Sequence, residues 1–312
     1  MSSDDSDFYG DDDTMAELKA KVKDFDTEMW WDEHKDVNTP LKIQAQKEDV
    51  EMIDVSHLHN PYAGIEYAWQ LGETIEDFVE RLPPATTNET DTNKWIWVCN
   101  PYIRQKKKSE ASNQQIRGGE DEAPEEEGAD LPSVVEGGMA RLHFASQYIN
   151  MCKNSGNIPE FIAKECRTAG MDAAKDILNL AKAHHVRCGK WMLFCNIYEV
   201  NEVWYTVAKA TANNELGIGA KVAPRRTNDG RTERLICVYT ADFSDTADVR
   251  RVAEKLKKLG LITANDRPLY YKPDVYTYLG IAHQNPWEIR ASIYDTRSML
   301  RIGKGTPAPA NC

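Results

Sequence analysis

After Gly189, continuous apolar runs and segments with helical spacing follow one another in an order that few folds accommodate. Two continuous apolar runs, 191–195 and 235–239, are typical of strands that are covered on both faces or lie at the centre of a sheet. A segment with helical spacing follows each run. In chain order, the segments are a strand at 191–195, a helix at 203–211, strands at 218–223 and 235–239, a helix at 245–260 and a strand at 270–271.

This β-α-β-β-α-β order is the split-βαβ arrangement. It predicts an α+β fold in which a largely antiparallel sheet carries helices on one face and leaves the other face, or its rim, available for binding. The remaining periodic segments add a helix at 74–82, a strand at 95–99, a mainly helical stretch at 139–185 and a half-exposed strand at 276–281.

Runs of charge indicate where the chain departs from a packed domain. Residues 1–13 contain six Asp and no basic residue, which predicts a disordered acidic tail over 1–35. Residues 104–133 pass from a basic run into an acidic run without apolar periodicity, which predicts a disordered charged insertion. We therefore expect one α+β domain over 36–304, interrupted at 104–133, and a loose C-terminus at 305–312.

The net charge of −12 is unevenly distributed along the chain. Residues 184–304 hold 19 Lys and Arg against 13 Asp and Glu, so the acidic excess lies in the rest of the chain. Either the basic half meets an anion such as a phosphate or a nucleic acid, or the acidic segments of the chain itself balance it.

The cysteines and the N-terminus indicate the compartment. Seven cysteines, an odd number, lie mostly inside apolar runs and are typical of reduced core thiols. The acidic N-terminus lacks the basic and apolar regions of a secretory signal, and about 18 consecutive apolar residues, the minimum for a membrane span, occur nowhere. We expect a cytoplasmic or nuclear protein that does not engage a membrane.

Several sequence blocks, spread over residues 186–297 and in one order, resemble the basophilic-leukaemia-expressed (Bles) protein family of eukaryotes. The blocks are Gly189–Phe194, Leu216–Gly217 with Ala220–Val222, Ile236–Thr240 with Asp242–Phe243, Tyr271–Asp274 with Tyr276–Ile281, and Asn285–Trp287 with Ser292–Tyr294.

The resemblance implies a fold similar to that of the messenger-RNA cap-binding initiation factor 4E, which is a curved antiparallel sheet backed by helices. In that factor two tryptophans sandwich a methylated guanine, a glutamate contacts the base edge and basic side chains hold the phosphates. The Trp287-Glu288 pair resembles the tryptophan and glutamate of that site in residue type.

The sequence motifs that are typical of enzymes and metal sites are absent or incomplete in this chain. The Gly217–Val222 stretch begins like a dinucleotide-binding loop but has Val222 where the third glycine is required, and a Gly-x-Ser-x-Gly elbow is absent. His184, His185 and Cys188 do not have the ligand spacing of a zinc site. We expect no catalytic residue, no metal ligand and no cofactor.

Candidate ligand-binding residues are charges in or beside strands and one aromatic residue in a turn. Charges at such places must reach solvent, a partner or a ligand. Trp287 would supply a stacking surface, Glu288 a contact to a base edge, and Lys221, Arg225 and Lys272 the charge for phosphates. The full set is Trp287, Glu288, Lys221, Arg225, Lys272 and Asp274.

The sequence therefore predicts a protein that binds a nucleotide or single-stranded RNA by stacking and phosphate neutralisation. The alternative is a protein-interaction module that uses the same scaffold, and its acidic segments, without nucleic acid. An unrecognised phosphate-handling enzyme is a third hypothesis.

Overall fold

The computed structural model describes residues 57–107, 116, 121–226, 232–262 and 267–301. They belong to one compact unit of the chain, Val55–Cys312. The predictions of a disordered tail at 1–35 and a loose C-terminus at 305–312 lie outside these residues.

Six strands form one open antiparallel sheet. Their order across the sheet is β1-β3-β4-β2-β5-β6, and each neighbouring pair is antiparallel. Strand β4 lies between β2 and β3, and β2 lies between β4 and β5, so the split-βαβ prediction is confirmed. The strands are β1 (Ile96–Cys99), β2 (Gly189–Asn196), β3 (Gly219–Val222), β4 (Glu233–Thr240), β5 (Tyr270–Pro273) and β6 (Tyr294–Asp295).

The described residues form seven helices, and with the sheet they confirm the α+β class. Helix α1 begins after Thr74, whose hydroxyl accepts a hydrogen bond from the Asp77 amide, as the capping-box spacing predicts. The helices are α1 (Ile75–Arg81), α2 (Leu131–Lys153), α3 (Pro159–Ala183), α4 (Val200–Ala212), α5 (Thr246–Lys258), α6 (Asp274–Tyr278) and α7 (Thr296–Arg301).

Helices α4 and α5 pack on the sheet, and side chains that alternate along β2 point to opposite faces. Trp191 lies on the face covered by α5, where its indole N–H donates to the Val249 carbonyl at 3.0 Å. Helix α5, predicted at 245–260, buries an apolar stripe that includes Val249, Val252 and Leu256. Lys190, one residue before Trp191, points to the other face.

Close approaches of backbone require glycine at two positions, Gly217 and Gly170. A Cβ on Gly217 would lie 1.7 Å from the Tyr239 carbonyl, and one on Gly170 would lie 2.3 Å from the Trp287 carbonyl. Gly217 therefore serves the packing of the chain against β4 rather than a dinucleotide-binding loop.

The prediction of a strand at 276–281 is wrong, because Asp274–Tyr278 is helix α6. Pro273 precedes this helix in an extended conformation, and Gly280 follows it with φ +71°. The Ile281 amide donates back to the Tyr276 carbonyl, which closes the helix end. The apparent alternation of the tyrosines hid these helix-boundary signals.

The prediction of a disordered insertion at 104–133 does not hold for its last part, from residue 121 onward. Residues 121–130 form turns and irregular backbone, helix α2 begins at Leu131, and Glu122, Ala123 and Pro124 are buried. Residues 108–115 and 117–120 lie outside the described residues. The sequence predicts disorder for the acidic run, but its second glutamate, Glu122, has partners on the sheet.

In the part of the chain that the structure describes, no helix combines the length and the apolar character that a bilayer crossing requires.

Candidate functional site

A cluster of buried charges lies on the face of the sheet opposite Trp191. Lys190 on β2 is 4 % exposed and Lys221 on β3 is 1 % exposed. Tyr239 on β4 is fully buried and stands directly across the ladder from Lys190. Three neighbouring strands therefore bring two ammonium groups and one phenol to the same patch.

The carboxylate that meets these groups comes from Glu122. It forms an ion pair with Lys190, accepts a hydrogen bond from the Tyr239 hydroxyl at 2.5 Å and lies 3.4 Å from the Lys221 ammonium. Glu122 is itself buried. One side chain of the acidic run thus links β2, β3 and β4.

A second carboxylate approaches Lys190 from helix α6. The Lys190 ammonium donates to Asp274 Oδ1 at 2.9 Å and to the Thr277 hydroxyl at 3.2 Å. Asp274 is fully buried, and its other oxygen, Oδ2, has no hydrogen-bond partner among the described residues. The buried hydroxyl of Tyr62 is likewise without a partner in that part of the chain.

Aromatic rings surround Lys221. Its ammonium lies 4.0 Å from the centroid of the Trp95 ring and 5.2 Å from that of Trp97. Trp97 is stacked between Tyr62, at 4.9 Å, and Tyr239, at 5.9 Å. Such faces attract a cation, so the rings stabilise the charge that burial disfavours.

The pKa values in the cluster follow from burial and from the neighbouring charges. Burial raises the pKa of the Glu122 carboxyl, but the ammonium groups of Lys190 and Lys221 outweigh it and lower that pKa to about 2. Burial lowers the pKa of Lys190, but Asp274 and Glu122 outweigh it and raise that pKa. Burial raises the pKa of Asp274 more than Lys190 lowers it.

Among the described residues, no group of three or more His, Cys, Asp or Glu side chains is arranged to hold a metal ion. The cluster instead combines two cations with two carboxylates and a phenol, and the Glu122 carboxylate is the oxyanion that the two cations and the phenol hold.

The structure brings two of the six predicted site residues into this cluster. They are Lys221 and Asp274, which lie on either side of the Glu122–Lys190 ion pair. Lys272 on β5 is half-buried and is paired in register with Lys190.

The other three predicted residues contact different parts of the molecule. The Trp287 indole N–H donates to the Ser146 hydroxyl of α2 at 2.8 Å, and Glu288 is exposed with φ +57°. Arg225 has an exposed side chain, and its backbone pairs with Thr87 and Glu89. The structure does not bring these three together with Lys221 by any contact described here.

Sequence reasoning missed Glu122, Lys190 and Tyr239. Lys190 carried the same signal as Lys221, a lysine within an apolar strand, and could have been found by it. Glu122 had no such signal, because Glu and Asp fill most of the positions around it.

A second candidate site is the outer surface of the hairpin formed by α2 and α3. Phe144 is 68 % exposed and Met151 is 70 % exposed, and with Tyr148 they are spaced as one stripe on α2. Large exposed apolar side chains of the hairpin and its turn are Met139, Phe144, Tyr148, Met151, Ile158, Phe161 and Met171.

A groove of about 370 Å³ runs between the two helices of this hairpin. Phe144 and Tyr148 line it from α2, and Ala169 and Ala173 line it from α3. Its charged lining residues are Arg141, Glu165, Asp172 and Asp176. The groove therefore combines an apolar lining with a surplus of negative charge.

A model of a known protein family matches more than four fifths of the chain. The family model for basophilic leukemia-expressed protein Bles03 matches residues 18–280. The match includes β1 to β5, both helices of the hairpin, Glu122, Lys190, Lys221 and Asp274, and ends before Trp287.

Proposed function

The chain belongs to the basophilic leukemia-expressed protein Bles03 family, and we propose that it is a protein-interaction module whose α2–α3 groove binds a basic amphipathic helix of a partner. The observation that carries this proposal is the exposed stripe of Phe144, Tyr148 and Met151 beside the groove. Single exposed apolar residues are ordinary on a protein surface, whereas a contiguous apolar patch with a polar rim is typical of an interaction site.

The shape of the groove favours a helix as the bound element. Its two walls are helices of 23 and 25 residues, and its apolar lining residues repeat at one-turn intervals, Phe144 with Tyr148 on α2 and Ala169 with Ala173 on α3. A helix that presents residues at i, i+4 and i+7 meets such a lining over several turns.

The charge of the groove selects a basic partner. Glu165, Asp172 and Asp176 line it against the single cation of Arg141. The Tyr148 hydroxyl donates to Glu165 at 2.7 Å, which holds that carboxylate beside the aromatic ring in the groove. Lysines or arginines beside the apolar stripe of a partner would meet these carboxylates. This charge complementarity speeds association with basic partners and disfavours acidic ones.

The experiment uses three designed 18-residue peptides and the full chain. The first peptide is an amphipathic helix with Leu on one face and Lys beside it, the second has Glu in place of Lys, and the third is a scramble of the first. We expect the basic helix alone to bind, as measured by fluorescence anisotropy, with an affinity that falls as salt is added because its Lys–carboxylate contacts are screened.

Matched variants locate the binding. Phe144→Asp should lower the affinity for the basic peptide at least tenfold. Tyr198→Asp, at a residue that is 88 % exposed outside the hairpin, should leave that affinity unchanged. Equal binding of the scramble, equal binding to Phe144→Asp, or no binding of the basic helix contradicts the proposal. A dimer of the free chain that Phe144→Asp dissociates would make a second copy the occupant and overturn the partner assignment.

A nucleotide or RNA ligand is the second candidate, and the surplus of Lys and Arg in 184–304 favours it. Titration with mononucleotides and short RNA at low salt tests it. If Trp287 stacks on a base, Trp287→Ala should lose about 1 to 3 kcal/mol of binding, and Lys272→Ala should reduce the salt dependence by about one phosphate contact.

A further inference from the structure

We infer that the face of the sheet around Lys190 and Lys221 is a binding site for an acidic peptide, and that residues 121–124 of this chain occupy it in cis. This site is separate from the α2–α3 groove and does not depend on the function proposed for it. It assigns a role to the part of the acidic run that the structure shows to be buried.

The first argument is the charge of the face without this segment. The strands and α6 contribute two cations, Lys190 and Lys221, and one carboxylate, Asp274. Buried ammonium groups need partners, since the cost of removing them from water is otherwise uncompensated. The face therefore requires a further carboxylate, and the sheet itself does not supply it.

The second argument is that the contacts of residues 121–124 are those of a bound peptide. The Asp121 carbonyl accepts from the Lys221 ammonium, and its carboxylate accepts from the Trp95 indole N–H at 3.0 Å. Glu122 inserts its side chain between the two lysines, while Ala123 and Pro124 are buried beside it. Peptide-binding sites recognise a short segment in this way, through contacts to its backbone and to its side chains.

The third argument is hydrogen-bonding capacity that the segment does not use. The hydroxyl of Tyr62 and Oδ2 of Asp274 are buried, and neither has a hydrogen-bond partner in the described residues. The Tyr62 ring stacks on Trp97, whose ring lies 5.2 Å from the Lys221 ammonium, so Tyr62 belongs to the surroundings of this cluster. Burial raises the pKa of Tyr62, so its hydroxyl stays protonated and can donate. A peptide that also pairs these two groups would fit the site better than residues 121–124 do.

Occupation in cis makes the site self-inhibited. A tethered segment competes at a high effective concentration, so a peptide in trans binds only when it is tighter or when the segment is released. Loss of the Glu122 carboxylate would release it, since that group holds three of the contacts.

The experiment adds a labelled peptide of residues 121–127 to the full chain and measures anisotropy, with tryptophan emission as a second readout because Trp95 lies at the site. The chains compared are the wild type, Glu122→Ala, and Glu122→Ala combined with Lys221→Met. Glu126→Ala is the matched control, since this carboxylate of the same segment pairs with Arg187 and not with the sheet lysines.

We expect the peptide to bind Glu122→Ala at least tenfold more tightly than the wild type or Glu126→Ala, and the Lys221→Met combination to lose this binding. A peptide with Glu122→Gln should not bind. If Glu122→Ala does not fold, the titration is carried out on the isosteric Glu122→Gln chain.

Absence of peptide binding to the folded variant overturns the proposal, as does equal binding of the Gln-containing peptide. Formate supplies the same carboxylate without a peptide. If formate binds the variant as tightly as the peptide does, the site recognises a small oxyanion and the peptide assignment is wrong.

Discussion

At the scale of single residues, the buried charges show how chemistry at one position depends on distant neighbours. Glu122 is surrounded by acidic residues in the sequence, yet in the structure its carboxylate meets two ammonium groups and a phenol. The same two cations keep it ionised although it is buried. Its contribution to stability therefore depends on pH in a defined direction.

Glu122→Gln should lower the free energy of unfolding at pH 7 by about 3 kcal/mol, because it leaves two buried cations with one carboxylate. The folded pKa of Glu122, about 2, lies below the ordinary value of 4.5. Stability from this group is present above the ordinary value and is lost as pH falls towards the folded one. Urea unfolding at pH 7 and at pH 3 should show a smaller difference between wild type and variant at pH 3; a constant difference would contradict the assignment.

At the scale of elements, helix α5 shows how a local pattern becomes a packed face. Asp245 accepts hydrogen bonds from the amides of Ala247 and Asp248 and so caps the start of the helix. Val249, Val252 and Leu256 are buried on the sheet, and Gly260 follows with φ +76°. Cap, stripe and terminal glycine all agree with the helix that the sequence predicts.

Leu256→Asp should lower the free energy of unfolding by more than about 3 kcal/mol, since it places an unpaired carboxylate in this interface. Lys257→Asp is the control, because it introduces the same side chain at the neighbouring exposed position and should cost less than about 1 kcal/mol. Thermal unfolding measures both. Equal melting temperatures for the two variants would show that the stripe does not pack as described.

At the scale of the whole molecule, the two candidate sites differ in how firmly their surroundings are packed. The cluster lies on the central strands β2 and β4, whose middle residues Trp191, Ile236 and Val238 are fully buried. The tip of the α2–α3 hairpin, by contrast, is exposed at every residue of 153–160.

Hydrogen exchange followed by mass spectrometry should reflect this difference. Amides of β2 and β4 should exchange slowest, because exposing them requires opening the core. Amides near 153–160 should exchange much faster, and binding of the basic peptide in the groove should slow exchange of the hairpin without changing β4. Protection of the tip as strong as that of β4 would contradict this account.

The sequence alone determined the elements whose burial follows a local period. The strands at 191–195 and 235–239, the helix that ends before Gly260 and the split-βαβ order were predicted because neighbours along the chain determine which face is apolar. Two features depended on the packing of distant segments: which charges pair, and the hydrogen bond of Trp287 to α2 in place of a contact with the predicted lysines. Pairing depends on the distance between side chains after the sheet has formed, and a run of similar acidic residues carries no local signal for which one is buried.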